Sequence, residues 1–198
     1  MIIFVPTESK KEVIKLPKYD GIKMSLEEFS NWEPEIEVGI KYEWDNGILE
    51  AADKLRTDEL YIYRNLQREF YAKSKYSHHG SFITEVNVYL KEVNKLRRPD
   101  IVYFLDKEVE KAKGKKENII PEMVMEIVSN SNSINEVEGK IRDYFRSGIK
   151  LVWIIFPDYK EVKIYHSIKN IQVCNGNDVC EFGDVIPDFQ ITVEDLFK

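Results

Sequence analysis

The chain has 198 residues, 43% apolar and 32% charged, with a formal net charge of −6 and a pI near 5.3. That balance fits one soluble globular domain with a real core and weighs against a dedicated non-specific DNA binder, which is usually basic. No apolar run approaches the roughly 20 residues of a membrane span, and the apolar start Met1–Pro6 lacks the length and basic leader of a signal peptide, so the cytoplasm is the expected address.

An acidic balance does not exclude a nuclease. Carboxylate metal sites lower the net charge, and a local basic groove can still hold phosphates. Cys174 and Cys180 are the only cysteines. Without CxxC spacing they argue against a zinc ribbon or a disulfide framework, and they read as strand residues either side of a hairpin turn at 175–178.

In chain order, residues 1–23 read as an N-terminal extension with little structure of its own, and 24–198 as a single domain. Ser25-Leu26-Glu27-Glu28 is a capping-box pattern that opens a helix through about Trp32, stopped by Pro34. Two strand-like runs around Asn46-Gly47 predict a hairpin over 40–51. Thr57 and Asp58 then start a helix to about Lys73, with Leu60, Tyr63, Leu66 and Phe70 as its buried stripe. His78-His79-Gly80 reads as a solvated loop, since adjacent histidines point apart and make a weak metal pair.

Ser81 to Leu90 alternates as one strand. A tight basic turn with Lys95, Arg97 and Arg98 leads into a strand over 98–105. The charged run 106–118 is a surface loop or short solvated helix; its mixed sign makes it a poor phosphate groove. A second apolar strand covers 121–128. Ser133-Ile134-Asn135-Glu136 is another capping box, opening a helix that Gly148 ends. Val137, Ile141, Tyr144 and Phe145 form its apolar stripe, and Lys140 lies at the stripe's edge, about 60° from Val137. Lys150–Phe156 is a buried strand, Pro157-Asp158 a turn, and Glu161–Tyr165 its hairpin partner. Further strand pieces precede a last helix from Thr192 to Phe197.

The two strands around 98–128 carry the functional signal. Each apolar run is interrupted by one carboxylate, Asp100 or Glu126, and acids are almost never buried unless paired or holding a metal. Alternate strand residues share a face, so Asp100 goes with Val102 and Phe104, and Glu126 with Val124 and Val128. If the strands are neighbours the two carboxylates converge, and converged anions call for a cation between them. Mg²⁺ suits such a site, since it takes oxygen ligands from one or two carboxylates, with waters and a phosphate completing the shell. It would polarise a phosphate oxygen and activate water, with Lys140 adding positive charge near the reacting phosphate.

Taken singly, each residue has an ordinary reading. Asp100 reads as a strand-opening turn residue after Pro99, Glu126 as a rim residue or the partner of an arginine, and Lys140 as a solvated helix lysine. Glu43 reads as an edge residue of the hairpin that could add a third carboxylate.

Together, Pro99-Asp100, the segment Met125-Glu126-Ile127-Val128-Ser129, Lys140 with Tyr144 and Gly148, then Trp153 and Pro157, form a wider pattern. It resembles the cyanobacterial-type restriction endonuclease-like family (Uma-type, formerly a domain of unknown function) of the PD-(D/E)XK nuclease superfamily. Tyr42-Glu43-Trp44-Asp45-Asn46-Gly47 is similar to that family's YELIDG segment. Ile186-Pro187-Asp188-Phe189 with Asp195-Leu196-Phe197 looks like its C-terminal signature. The resemblance covers roughly 24–198.

It implies an α/β (α+β) fold, a restriction endonuclease-like central mixed sheet flanked by helices. It also implies metal-dependent hydrolysis of DNA phosphodiesters, with Asp100 and Glu126 as ligands to Mg²⁺, Mn²⁺ as a substitute, and Glu43 as a further site residue. The superfamily's lysine usually stands two residues after the acid, where this chain has Val128; the family's pattern puts a lysine in the next helix, matching Lys140. Ser129-Asn130-Ser131 keeps the serines of the family's Ser-Pro-Ser and loses the proline, and the early histidine before the first long helix is absent. Cutting both strands of DNA calls for a homodimer. Two other functions fit the same residues: a catalytically silent binding or regulatory module of this fold, and a phosphohydrolase acting on RNA or nucleotides.

Overall fold

Ser25 opens the first helix, α1 (Leu26–Ser30), as its pattern predicts: its hydroxyl accepts the Glu28 N–H, and the Glu28 carboxylate accepts the Ser25 N–H. In this computed structural model, which describes residues 17–75, 79–115, 118–128 and 132–198, β1 (Ile40–Asp45) and β2 (Ile48–Asp53) follow as the expected hairpin. Asn46 and Gly47 both hold positive φ, at 48° and 94°, which is what a two-residue turn of this hand requires. The apolar start at Met1–Pro6, His78, Lys116, Glu117 and Ser129-Asn130-Ser131 lie outside the described residues. Residues 17–23 are laid along the hairpin, with Gly21 N–H donating to Leu49 O at 2.8 Å and Tyr19 edge-on to Trp32 and Tyr42.

After a 3₁₀ turn at Thr57–Glu59, helix α2 spans Leu60–Lys73. Its buried face is Ile62, Asn65, Leu66 and Phe70, not the predicted Leu60-Tyr63-Leu66-Phe70 stripe. The row 62–66–70 faces the core, and Leu60, roughly 160° around the axis from Ile62, is exposed. The strand predicted over Ser81–Leu90 is two, β3 (Gly80–Thr84) and β4 (Val88–Leu90). Between them Glu85 takes φ 56°, a left-handed backbone that no strand can continue through. The predicted basic turn is instead a short strand, β5 (Lys95–Arg97), the reversal falling one residue earlier at Asn94, φ 54°.

Then come β6 (Ile101–Leu105), α3 (Asp106–Ala112), β7 (Met123–Ile127) and α4 (Ile134–Arg146), the last opened by the Ser133–Glu136 capping box. The chain finishes with β8 (Leu151–Phe156), β9 (Glu161–Ser167), β10 (Asn170–Asn175), β11 (Val179–Glu181), β12 (Gln190–Thr192) and α5 (Val193–Leu196), which Thr192 caps. Cys174 and Cys180 are buried, free thiols flanking the 175–178 turn, but that turn does not close a hairpin. Strand β10 pairs with β9, and β11 leaves to pair with β12.

The mixed α+β architecture has a central six-stranded sheet in the order β10-β9-β8-β7-β6-β3. Its one parallel pair, β7–β8, is bridged by α4, the helical crossover that parallel neighbours need. A four-stranded antiparallel sheet, β2-β1-β5-β4, stands beside it, and β11-β12 forms a small third sheet. The central sheet is apolar on both faces because both are covered. Val102, Phe104, Val124 and Ile154 pack under Ile141 and Tyr144 of α4. On the opposite face Tyr103, Met125 and Trp153 meet Leu66 and Phe70 of α2 and Leu196 of α5. Among the described residues no helix is long and apolar enough to cross a membrane.

Candidate active site

Strands β6 and β7 are antiparallel neighbours, paired Ile101 to Met125, so one more step of that register sets Asp100 opposite Glu126. The convergence expected from strand alternation is therefore present. Both carboxylates are buried, at 4% and 6% exposure, and with Lys140 they line one cavity of about 40 Å³. That is room for a few waters or one hydrated ion. Pro99 fixes the backbone entering β6, and Asp100 Oδ2 accepts the Ile127 N–H at 2.8 Å, which sets the carboxylate's orientation.

Helix α4 brings two groups to Glu126. Lys140 and Tyr144, one turn apart on the same face, put an ammonium 3.6 Å from Glu126 Oε1 and a phenol O–H donating to that oxygen. Lys140 is shared with Glu43, at 3.3 Å.

Glu43 is not the edge residue its place in the hairpin suggested. Strand β1 is internal, between β2 and β5, and Glu43 is buried to 1% exposure. It accepts from Arg97 Nη1 at 2.9 Å and from the Arg98 N–H at 3.0 Å. It faces Lys140 from a wider groove and does not line the Asp100–Glu126 cavity.

Two charged residues escaped the sequence reading. Lys41 lies buried with Nζ 2.7 Å from Asp100 Oδ1, and buried Arg97 joins Glu43, Glu50 and Asp143. The one available signal was alternation. Tyr42 and Trp44 of β1 face the Phe29–Leu96 cluster, so Lys41 and Glu43 must share the other face. Their closest partners, Asp100 for Lys41 and Arg97 for Glu43, lie 59 and 54 residues on in the chain, out of reach of any local pattern.

Burial is the dominant force on these acids. It raises the pKa of Asp100 against the opposing pull of Lys41 and the Ile127 N–H. It raises Glu126 as well, against Lys140 and with the added repulsion of Asp100. Glu43 feels the same burial, but Lys140 and Arg97 outweigh it and hold it at about 2. Burial would lower Lys140, and the charges of Glu126 and Glu43 instead push it above its ordinary value. Burial thus penalises the charged forms of Asp100 and Glu126 despite two lysines within reach, and they offer oxygen donors only. That donor set fits a hard divalent ion. Among the described residues no group of three or more His, Cys, Asp or Glu forms a ready metal cluster, so water or substrate oxygens would have to complete the shell.

The groove beside the cavity, about 640 Å³, runs between the β1–β2 hairpin and the first half of α4. It shares Ala52, Asn132, Glu136 and Lys140 with the cavity and presents Lys95 and Arg97 alongside Glu43, Asp45 and Glu50.

The chain resembles a solved structure described as a "putative nuclease belonging to DUF820" from Anabaena variabilis ATCC 29413, at 20% identity and a TM-score of 0.70, over 88% of this chain and 97% of that one. At that identity the likeness speaks for the fold. No curated protein matches. The sequence profile of the family described as "Uma2: Putative restriction endonuclease" matches residues 26–194, and the chain belongs to that family.

Proposed function

We propose that the protein is a metal-dependent DNA endonuclease that hydrolyses phosphodiester bonds. The observation that carries this reading is the pairing of Asp100 and Glu126 across neighbouring strands, lining one cavity with Lys140. In it, Asp100 and Glu126 hold Mg²⁺, or Mn²⁺ in its place. Held by those two carboxylates, the ion would supply Lewis-acid polarisation of a phosphate oxygen and a more acidic water.

The chain's own groups do the positioning. The Ile127 N–H aims the Asp100 carboxylate, and the Tyr144 hydroxyl fixes Glu126 Oε1. Lys140, on the wall shared by cavity and groove, stabilises the negative charge that grows on the phosphate. Glu43 keeps that ammonium charged and pointed inward; it is a positioning residue here, not a ligand. The substrate backbone lies in the groove with Lys95 and Arg97 beneath it, and the acidic lining and net charge of −6 make binding weak. Residues 24–198 form the single nuclease-like domain of this reading, 1–23 its extension, and the protein works as a cytoplasmic homodimer.

The test is cleavage of supercoiled plasmid with Mg²⁺ and with chelator. Asp100→Asn and Glu126→Gln should abolish cutting, and Lys140→Met should slow it by about 100-fold. Cutting that survives chelation, or that Asp100→Asn leaves intact, sinks the reading. The ion pair between Lys41 and Asp100 favours a second one, a silent binding module whose site is already filled by its own lysine. That module would cut nothing and bind no divalent ion. Cutting of RNA or nucleotides with duplex DNA untouched would indicate a phosphohydrolase.

A further inference from the structure

The reading above leaves one buried cation without a task. Lys41 has a side chain 1% exposed, with Nζ 2.7 Å from Asp100 Oδ1 and 3.6 Å from Glu85 Oε1. It lines neither the Asp100–Glu126 cavity nor the groove, so it is not placed to touch a substrate there. A buried ammonium must be paired to be tolerated, and this one lies between two carboxylates, only one of which belongs to the candidate metal site.

Each oxygen of the Asp100 carboxylate already takes one hydrogen bond, which leaves each one further lone pair. Oδ2 takes the Ile127 N–H and Oδ1 takes Lys41. A divalent ion on either oxygen therefore lies within one carboxylate's width of the ammonium on Oδ1, and two cations held that close repel in a buried site. Glu85 provides somewhere else for that ammonium. Its left-handed backbone, φ 56°, turns the chain between β3 and β4, its N–H donates to the Asp100 carbonyl at 3.2 Å, and its Oε1 is anchored by the Leu55 N–H at 2.9 Å.

We infer that Lys41 is a resident counter-cation that competes with the metal for Asp100, and that Glu85 is the carboxylate to which it retreats when the ion binds. Lys41 then sets how tightly the site holds its metal, as a positioning residue and not a catalytic one. The inference rests on the reading of Asp100 and Glu126 as ligands.

The experiment is Mn²⁺ binding to the full chain without DNA, followed by the electron paramagnetic resonance of free Mn²⁺, with folding checked by circular dichroism. Lys41→Gln keeps an N–H donor for Asp100 and removes the charge, so it should bind Mn²⁺ on the order of 10- to 100-fold more tightly than the parent. Glu85→Gln, which strands the ammonium on Asp100, should bind several-fold more weakly. Unchanged or weaker binding by Lys41→Gln overturns the inference, and so does unchanged or tighter binding by Glu85→Gln. If the parent binds and Asp100→Asn does not, the metal reading survives that failure. If neither the parent nor Lys41→Gln binds, both fall. Binding by Lys41→Gln alone supports both.

Discussion

Glu43 has a charged form held far below its ordinary range, and this makes it a source of acid sensitivity. Its folded-state pKa of about 2 lies under the ordinary 4.5 of an unfolded chain. It therefore contributes stability in full above pH 4.5 and loses it as pH falls towards 2, about 3 kcal/mol in all. Urea titrations from pH 6 to 3 should show the gap between the parent and Glu43→Gln narrowing as pH drops. Glu126 has the opposite sign. Burial raises its pKa in the fold, so the fold penalises its charged form and protonation relieves that penalty. Glu126→Gln keeps an acceptor for Tyr144 and removes the charge. It should lose cleavage yet gain about 1 kcal/mol of stability at pH 7, read by denaturant midpoint. A loss of stability in that variant would mean that Lys140 needs the Glu126 charge more than burial penalises it.

At the level of elements, α4 does most to assemble the site, since it carries Lys140 and Tyr144 over the ends of β6 and β7. Its first turn depends on Ser133, whose hydroxyl accepts the Glu136 N–H. Ser133→Ala should cost about 1 kcal/mol in urea unfolding, whereas the same change at Ser25, on a five-residue helix, should matter less. Both caps and the Asn46-Gly47 turn were legible in the sequence because each is settled by residues within four positions. So was the face each acid takes on its strand, through alternation, while the pairing of those strands entered only as a condition. What could not be read was set by distance or by one backbone angle. The α2 face depends on which row meets Phe82 and Tyr103, and the split of the 81–90 strand depends on Glu85 alone. Lys41 and Arg97 found their partners 59 and 54 residues away. Glu43 looked like an edge residue because the short strand β5, which makes β1 internal, reads locally as a basic turn.

For the whole molecule, the proposed cutting of both strands of a duplex would use two copies of a site that each chain holds once. Light scattering at working concentration should therefore report a dimer, and a monomer that still linearises plasmid would remove the need for one. The chain passes between its two larger sheets at Glu85 and again at Arg98-Pro99-Asp100, and the candidate site lies at those crossings. The central sheet contributes the acids, Asp100 and Glu126. The smaller sheet contributes the residues around them, and Lys41, Glu43 and Glu50 come from one uninterrupted hairpin. The acids and part of their electrostatic tuning therefore sit on different elements. Exchanging residues 40–53 between members of this fold would carry Lys41, Glu43 and Glu50 across together while leaving the two acids, Lys140 and Arg97 where they are. On the metal-dependent reading, rewriting that hairpin would reset how tightly the centre holds its ion.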